Sequence, residues 1–129
     1  SNISLPLYSS KVPAGFPSPA DDHMEGKLEL NTHLIKHPTA TFFVKASGES
    51  MLGAGIHDGD ILVVDRSLEP RKGRVVIAAV DGQLTVKRLQ KKGSKTFLVP
   101  ENKKFRSIEL SENNDVMIWG VVTNVIHKV

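Results

Sequence analysis

From Thr41 onward, apolar residues come in short runs of β-branched and aromatic side chains. Residues 41–46, 60–65, 74–80, 83–89, 96–100 and 115–126 each form such a run, bounded by Gly, Ser, Pro or Asp. That is the pattern of strands separated by turns. Earlier in the chain the spacing differs: Leu28, Leu30, Leu34 and Ile35 recur at helical intervals and Pro38 follows, which predicts a short helix over 28–36. Residues 1–27 show no periodicity, and Pro6, Pro13, Pro17 and Pro19 forbid a regular helix there. They read as an extended N-terminal arm, with residues 28–129 as the folded domain. The fold class predicted is mainly β: a curled antiparallel sheet or partial barrel with one short N-terminal helix and an extended arm.

Asp81-Gly82 sits between two of the apolar runs, a strong hairpin signal because the primed turn needs positive φ at both central positions. Counting outward from a two-residue loop pairs Val80 with Gln83, Ala78 with Thr85, Ile77 with Val86 and Val76 with Lys87. Alternation then gives one face Val75, Ile77, Ala79, Leu84 and Val86, with Arg88 at its end, and this reads as the core face. The other face carries Val76, Ala78, Thr85 and Leu89, with Lys87 in their midst. An ordinary lysine, with a pKa near ~10.4, is protonated at neutral pH. Burial among apolar groups disfavours the ammonium and turns the amine toward a usable general base. A snorkelling lysine whose stem covers apolar surface fits the same pattern.

Residues 45–60 contain Gly48, Gly53, Gly55 and Gly59 and set Ser50 in a strand-to-turn bend. Glycines let backbone N–H groups turn toward one point, as an oxyanion hole requires. A tight turn with a capping serine has the same composition.

The chain of 129 residues, 40% hydrophobic, is long enough for one core. It has no cysteine, which excludes a disulfide framework and a thiol nucleophile and suits a reducing compartment. No apolar run approaches the roughly 18 residues of a membrane span, and the N-terminus lacks the order of a signal peptide. It begins Ser1-Asn2 without an initiator methionine, so native residues are expected upstream. The histidines are scattered without paired ligand spacing, and Asp58-Gly59-Asp60 lacks the order of a calcium loop, so no metal and no cofactor are expected. Most of the net charge of +3 lies in residues 87–95, read as a solvated strand end and loop rather than a phosphate-binding surface.

The block from Gly48-Glu49-Ser50-Met51 to Gly59-Asp60 resembles the nucleophile motif of the LexA/UmuD family of self-cleaving Ser–Lys peptidases. Residues 76–82 leading into Thr85-Val86-Lys87-Arg88-Leu89 resemble that family's lysine strand, and the separation of 37 residues agrees. Phe16-Pro17-Ser18-Pro19-Ala20 and His37-Pro38-Thr39-Ala40-Thr41 are similar to its UmuD-type branch. The resemblance implies a LexA/signal-peptidase-like fold in which Ser50 attacks, Lys87 takes its proton, and the N–H groups of Glu49 and Ser50 hold the oxyanion. It implies that the substrate is the chain's own arm, cut at Ala14–Gly15 (a bond preceded by fewer residues than the family shows).

The same resemblance implies a cytoplasmic homodimer of the SOS DNA-damage response, stimulated by a RecA–single-stranded DNA filament. Its cleaved form would serve a UmuC-like Y-family translesion DNA polymerase. Neither a membrane nor sequence-specific DNA is expected as a partner. Two other readings stand beside this one: a non-catalytic polymerase-binding dimer, and the C-terminal domain of a LexA-like repressor.

Overall fold

A computed structural model describes residues 3–9, 11–17, 19 and 23–129. Ser18 and Ala20 of the Phe16–Ala20 motif lie outside the described residues. The chain folds as two compact units, residues 1–36 and 37–129, and the arm expected over residues 1–27 lies within the first.

The first unit holds strands β1 (Ser4–Tyr8) and β2 (Met24–Glu29), paired antiparallel, and one helix, α1 (Leu30–Leu34). The expected helix over 28–36 is therefore shorter than its spacing suggested. Leu28 pairs with Leu5, and the Glu29 carboxylate accepts the Thr32 N–H as a cap, so the strand runs up to the residue that starts the helix. Among the described residues of the arm no helix forms, and β1 accommodates Pro6. In a two-stranded ribbon a proline loses no ladder bond if its nitrogen faces outward. Ala14, Gly15 and Phe16 form an exposed bend between the two strands.

The second unit is one seven-stranded antiparallel sheet. Its strands are β3 (Thr41–Lys45), β4 (Ile61–Asp65), β5 (Val75–Val80), β6 (Gln83–Lys92), β7 (Lys95–Val99), β8 (Ile108–Leu110) and β9 (Val116–Ile126), in the order β3-β4-β9-β5-β6-β7-β8. The expected runs all form strands; β8 is additional, a short edge strand too brief to show a period. The sheet is curled but not closed into a barrel. β9 lies between β4 and β5, its first half pairing with β5 and its second with β4. Its long apolar run is therefore that of a central strand.

The β5–β6 register is the one counted from the turn, with Val76 opposite Lys87 and Ala78 opposite Thr85. Asp81 and Gly82 both have positive φ, at 50° and 82°, as a primed turn demands. The expectation of one core face needs correction. Ile77 packs in a cluster with Ala46, Met51, Ile56, Leu62 and Val64, while Val76 and Ala78 pack in another with Leu89, Leu98 and Val121. Both faces of β5 are therefore covered, one of them in part by the loop that carries Ala46, Met51 and Ile56. Leu84, assigned to the core face, is 55% exposed near the hairpin tip. The basic run becomes the β6–β7 hairpin, solvated at Lys91 and Lys92 and paired at Lys95 with Glu109. Among the described residues, no helix is long and apolar enough to cross a membrane.

Candidate active site

Ser50 ends the loop that leaves β3, and Lys87 lies mid-way along β6. The sheet brings them together: Lys87 Nζ is 3.1 Å from Ser50 Oγ. Only 9% of Lys87 is exposed. Its neighbours in the pocket include Val44, Leu62, Ile77 and Val86, and no acidic residue lines it among those described. Burial therefore pushes the Lys87 pKa below that of an ordinary lysine, because no carboxylate offsets the loss of water around the ammonium.

Two further acceptors surround the amine. Nζ is 2.6 Å from Thr85 Oγ1 and 3.1 Å from the Val86 carbonyl oxygen. A protonated lysine can donate to all three oxygens. A neutral one has two N–H donors and one lone pair. With the two donors used on Val86 and Thr85, the lone pair faces the Ser50 hydroxyl, which then donates to nitrogen. That arrangement is a serine beside a base.

The turn carrying Ser50 is held from the segment after β7. The Glu101 N–H donates to the Ser50 carbonyl at 2.8 Å, the Gly53 N–H donates to the Glu101 carbonyl at 2.8 Å, and Asn102 Nδ2 donates to the Glu49 carbonyl at 2.9 Å. Arg88, next to Lys87 in the chain, pairs with the Glu101 carboxylate at 2.6 Å. Gly53 is required by proximity: a Cβ there would sit 2.8 Å from the Glu101 carbonyl oxygen. On the other side, Gly48 N–H donates to Asp58 Oδ1 at 2.7 Å. A planar trans peptide points its C=O and N–H in opposite directions. Fixing the Glu49 carbonyl on Asn102 therefore turns the Ser50 N–H the other way. Neither the Glu49 nor the Ser50 N–H bonds to any described residue.

The sequence pattern singled out Ser50 and Lys87 as candidates, and the family resemblance gave them their roles and added Glu49, Ala14 and Gly15. Ser50, Glu49 and Lys87 come together in the second unit. Ala14 and Gly15 lie in the exposed bend of the first, flanked by Val12 and Phe16, which are 90% and 94% exposed. Thr85 was placed on the right strand face but given no role; its position two residues before Lys87 was the available signal. Glu101 and Asn102 carried no local signal. His57, Asp60 and His127 also converge, with ligand-type atoms within 4.8 Å of one another, although no spacing in the sequence links residues 57 and 127.

The Peptidase S24-like family model matches residues 6–123, and the chain belongs to that family of serine peptidases. Protein SamA of Salmonella typhimurium strain LT2 is 48% identical over 125 residues, covering 97% of this chain and 86% of the relative. Protein ImpA of Escherichia coli is 48% identical over 124 residues (95% and 83%), and Protein MucA of Escherichia coli 44% over 122 residues (94% and 83%). These relatives are homologues of UmuD, and within the family the chain is of the UmuD type.

Proposed function

We propose that the protein is a self-cleaving serine peptidase of SOS mutagenesis, with Ser50 as nucleophile, Lys87 as general base and Ala14–Gly15 as the bond cut. The observation that carries this reading is the 3.1 Å contact between Ser50 Oγ and a buried lysine nitrogen. The Ser50 proton passes to Lys87 Nζ as Oγ bonds to the Ala14 carbonyl carbon. The oxyanion that forms is held by the N–H groups of Glu49 and Ser50. Lys87 then returns the proton to the departing Gly15 nitrogen, leaving an acyl-enzyme at Ala14 that water hydrolyses with Lys87 again accepting a proton.

Two free strand edges border the pocket. Among the described residues β3 pairs only with β4, and residues 83–87 of β6 pair only with β5. An extended peptide lying between them can hydrogen-bond as a strand, and the small side chain of Ala14 lets its backbone approach Oγ. Because arm (residues 1–27) and peptidase (residues 28–129) share one chain, attack is effectively unimolecular, which compensates for a modest base.

By its kinship with SamA, ImpA and MucA, we assign it a cytoplasmic role as a homodimer. A RecA–single-stranded DNA filament stimulates cutting, and the form beginning at Gly15 serves a UmuC-like translesion polymerase. The test is mass and N-terminal analysis after incubation at alkaline pH, and separately with RecA filament. A product starting at Gly15, absent in Ser50→Ala and Lys87→Ala, supports the assignment. Cleavage surviving in either variant removes the dyad, and an uncut wild-type chain under both conditions favours a non-catalytic binding dimer.

A further inference from the structure

Two side chains of the loop that follows Ser50 meet a third from the end of the chain. Asp60, 4% exposed, lies just before β4; His57 precedes it by one turn, and His127 follows β9. His127 Nδ1 is 2.6 Å from Asp60 Oδ1, and His57 Nδ1 is 3.6 Å from Oδ2, which already accepts the His57 backbone N–H at 2.8 Å. The two imidazole rings stack with centroids 4.3 Å apart and planes inclined by 26°.

A proton satisfies this cluster only in part. The His127 contact is a good hydrogen bond, whereas 3.6 Å leaves His57 Nδ1 beyond hydrogen-bonding range of the same carboxylate. Two imidazoles and a carboxylate facing one point are instead the donor set of a borderline-soft divalent ion.

We propose that His57, Asp60 and His127 bind a divalent transition-metal ion of zinc type. With metal–ligand bonds of about 2.0–2.2 Å, tetrahedral donors sit roughly 3.4 Å from one another. The three donors now lie within 4.8 Å of one another, with the histidines at 2.6 and 3.6 Å from different oxygens of Asp60, so they must draw toward that value around the ion. Reaching it takes rotation of two side chains that are 48% and 39% exposed, while the buried carboxylate stays in place. Because both imidazoles are partly exposed, an ion has a way in. Asp60 is also tied to the nucleophile loop: its carbonyl accepts the Ala46 N–H at 2.8 Å, and the Ala46 carbonyl accepts the Gly59 N–H at 2.8 Å. A bound ion therefore fastens the end of β9 to the loop over residues 46–60. It takes no part in peptide hydrolysis.

The test is titration of the full chain, first stripped with chelator, using Zn²⁺ by calorimetry and Co²⁺ by visible absorption. One ion per chain is expected in the micromolar range, with a tetrahedral cobalt spectrum that Zn²⁺ displaces. His57→Ala and His127→Ala should each weaken binding by at least the ~10-fold that loss of an outer-shell partner costs, with circular dichroism unchanged. His33→Ala should leave binding intact. Absence of binding at millimolar ion, or binding that survives the His57→Ala/His127→Ala double variant, overturns the proposal.

Discussion

Lys87 is closer to Thr85 than to Ser50: its Nζ lies 2.6 Å from Thr85 Oγ1 and 3.1 Å from Ser50 Oγ. Thr85 thus aims the amine. Replacing it with valine keeps the shape and deletes the hydrogen bond. Thr85→Val should lower the self-cleavage rate by about tenfold, less than the roughly 10²–10⁴-fold that a general base contributes in full, while leaving the melting temperature nearly unchanged. Timed gel analysis of the uncut chain beside thermal unfolding checks both parts.

Cleavage should rise with pH and then level off. The base form of Lys87 is the neutral amine, and burial lowers its pKa, so the rise falls below the range of an ordinary lysine near ~10.4. Lys87→Arg should be inactive at every pH, since guanidinium is never deprotonated in proteins. A pH–rate profile of both proteins decides this; a flat wild-type profile contradicts the base role.

The same lysine makes stability depend on pH. Between its lowered folded pKa and about 10.4, the unfolded state binds more protons than the native one, so this group's contribution to stability increases as pH rises. Urea unfolding of wild type and Lys87→Met at neutral and alkaline pH should show the wild type gaining on the variant.

Asp65 should act in the opposite pH range. Burial alone would raise its pKa, but the hydrogen bonds from Ser67 and from His37 prevail and hold it below the usual carboxylate value. Its contribution is present above the unfolded value near ~3.9 and is lost as pH falls through the lower folded one. Asp65→Asn should lower the melting temperature at neutral pH by several degrees and leave it less sensitive to acid, as measured by calorimetry from pH 3 to 7.

Asn102 lies outside the pocket, yet its hydrogen bond to the Glu49 carbonyl sets the direction of the Ser50 N–H. Losing an oxyanion donor outright costs about 10²–10³ in rate, and freeing its orientation should cost less. Asn102→Ala is expected to slow self-cleavage by roughly 10-fold with little change in stability. An unchanged rate would show that the bonds left in place, from the Glu101 N–H to Ser50 and from the Leu52 N–H to the Glu49 carbonyl, suffice to hold the turn.

Much of the fold was legible because its determinants are local. Short β-branched and aromatic runs bounded by turn residues marked six of the seven main-sheet strands, and Asp81-Gly82 fixed the β5–β6 register, since a two-residue turn leaves no freedom in pairing. Ser50 and Lys87 were legible by resemblance, and the register placed Lys87 opposite Val76. Other features depend on long-range closure. Leu84 looked like core, but the curling of the sheet decides which alternate positions are covered. Strands β1 and β2 form from a proline-rich stretch as a two-stranded ribbon among the described residues, where a missing N–H costs least. The 3.1 Å contact of Ser50 with Lys87, the grip of Glu101 and Asn102 on the serine turn, and the meeting of His57 with His127 across β4 and β9 appear only when the sheet closes. Side-chain alternation and turn chemistry act over a few residues, whereas these contacts join positions tens of residues apart, whose distance is set by how seven strands twist and stack.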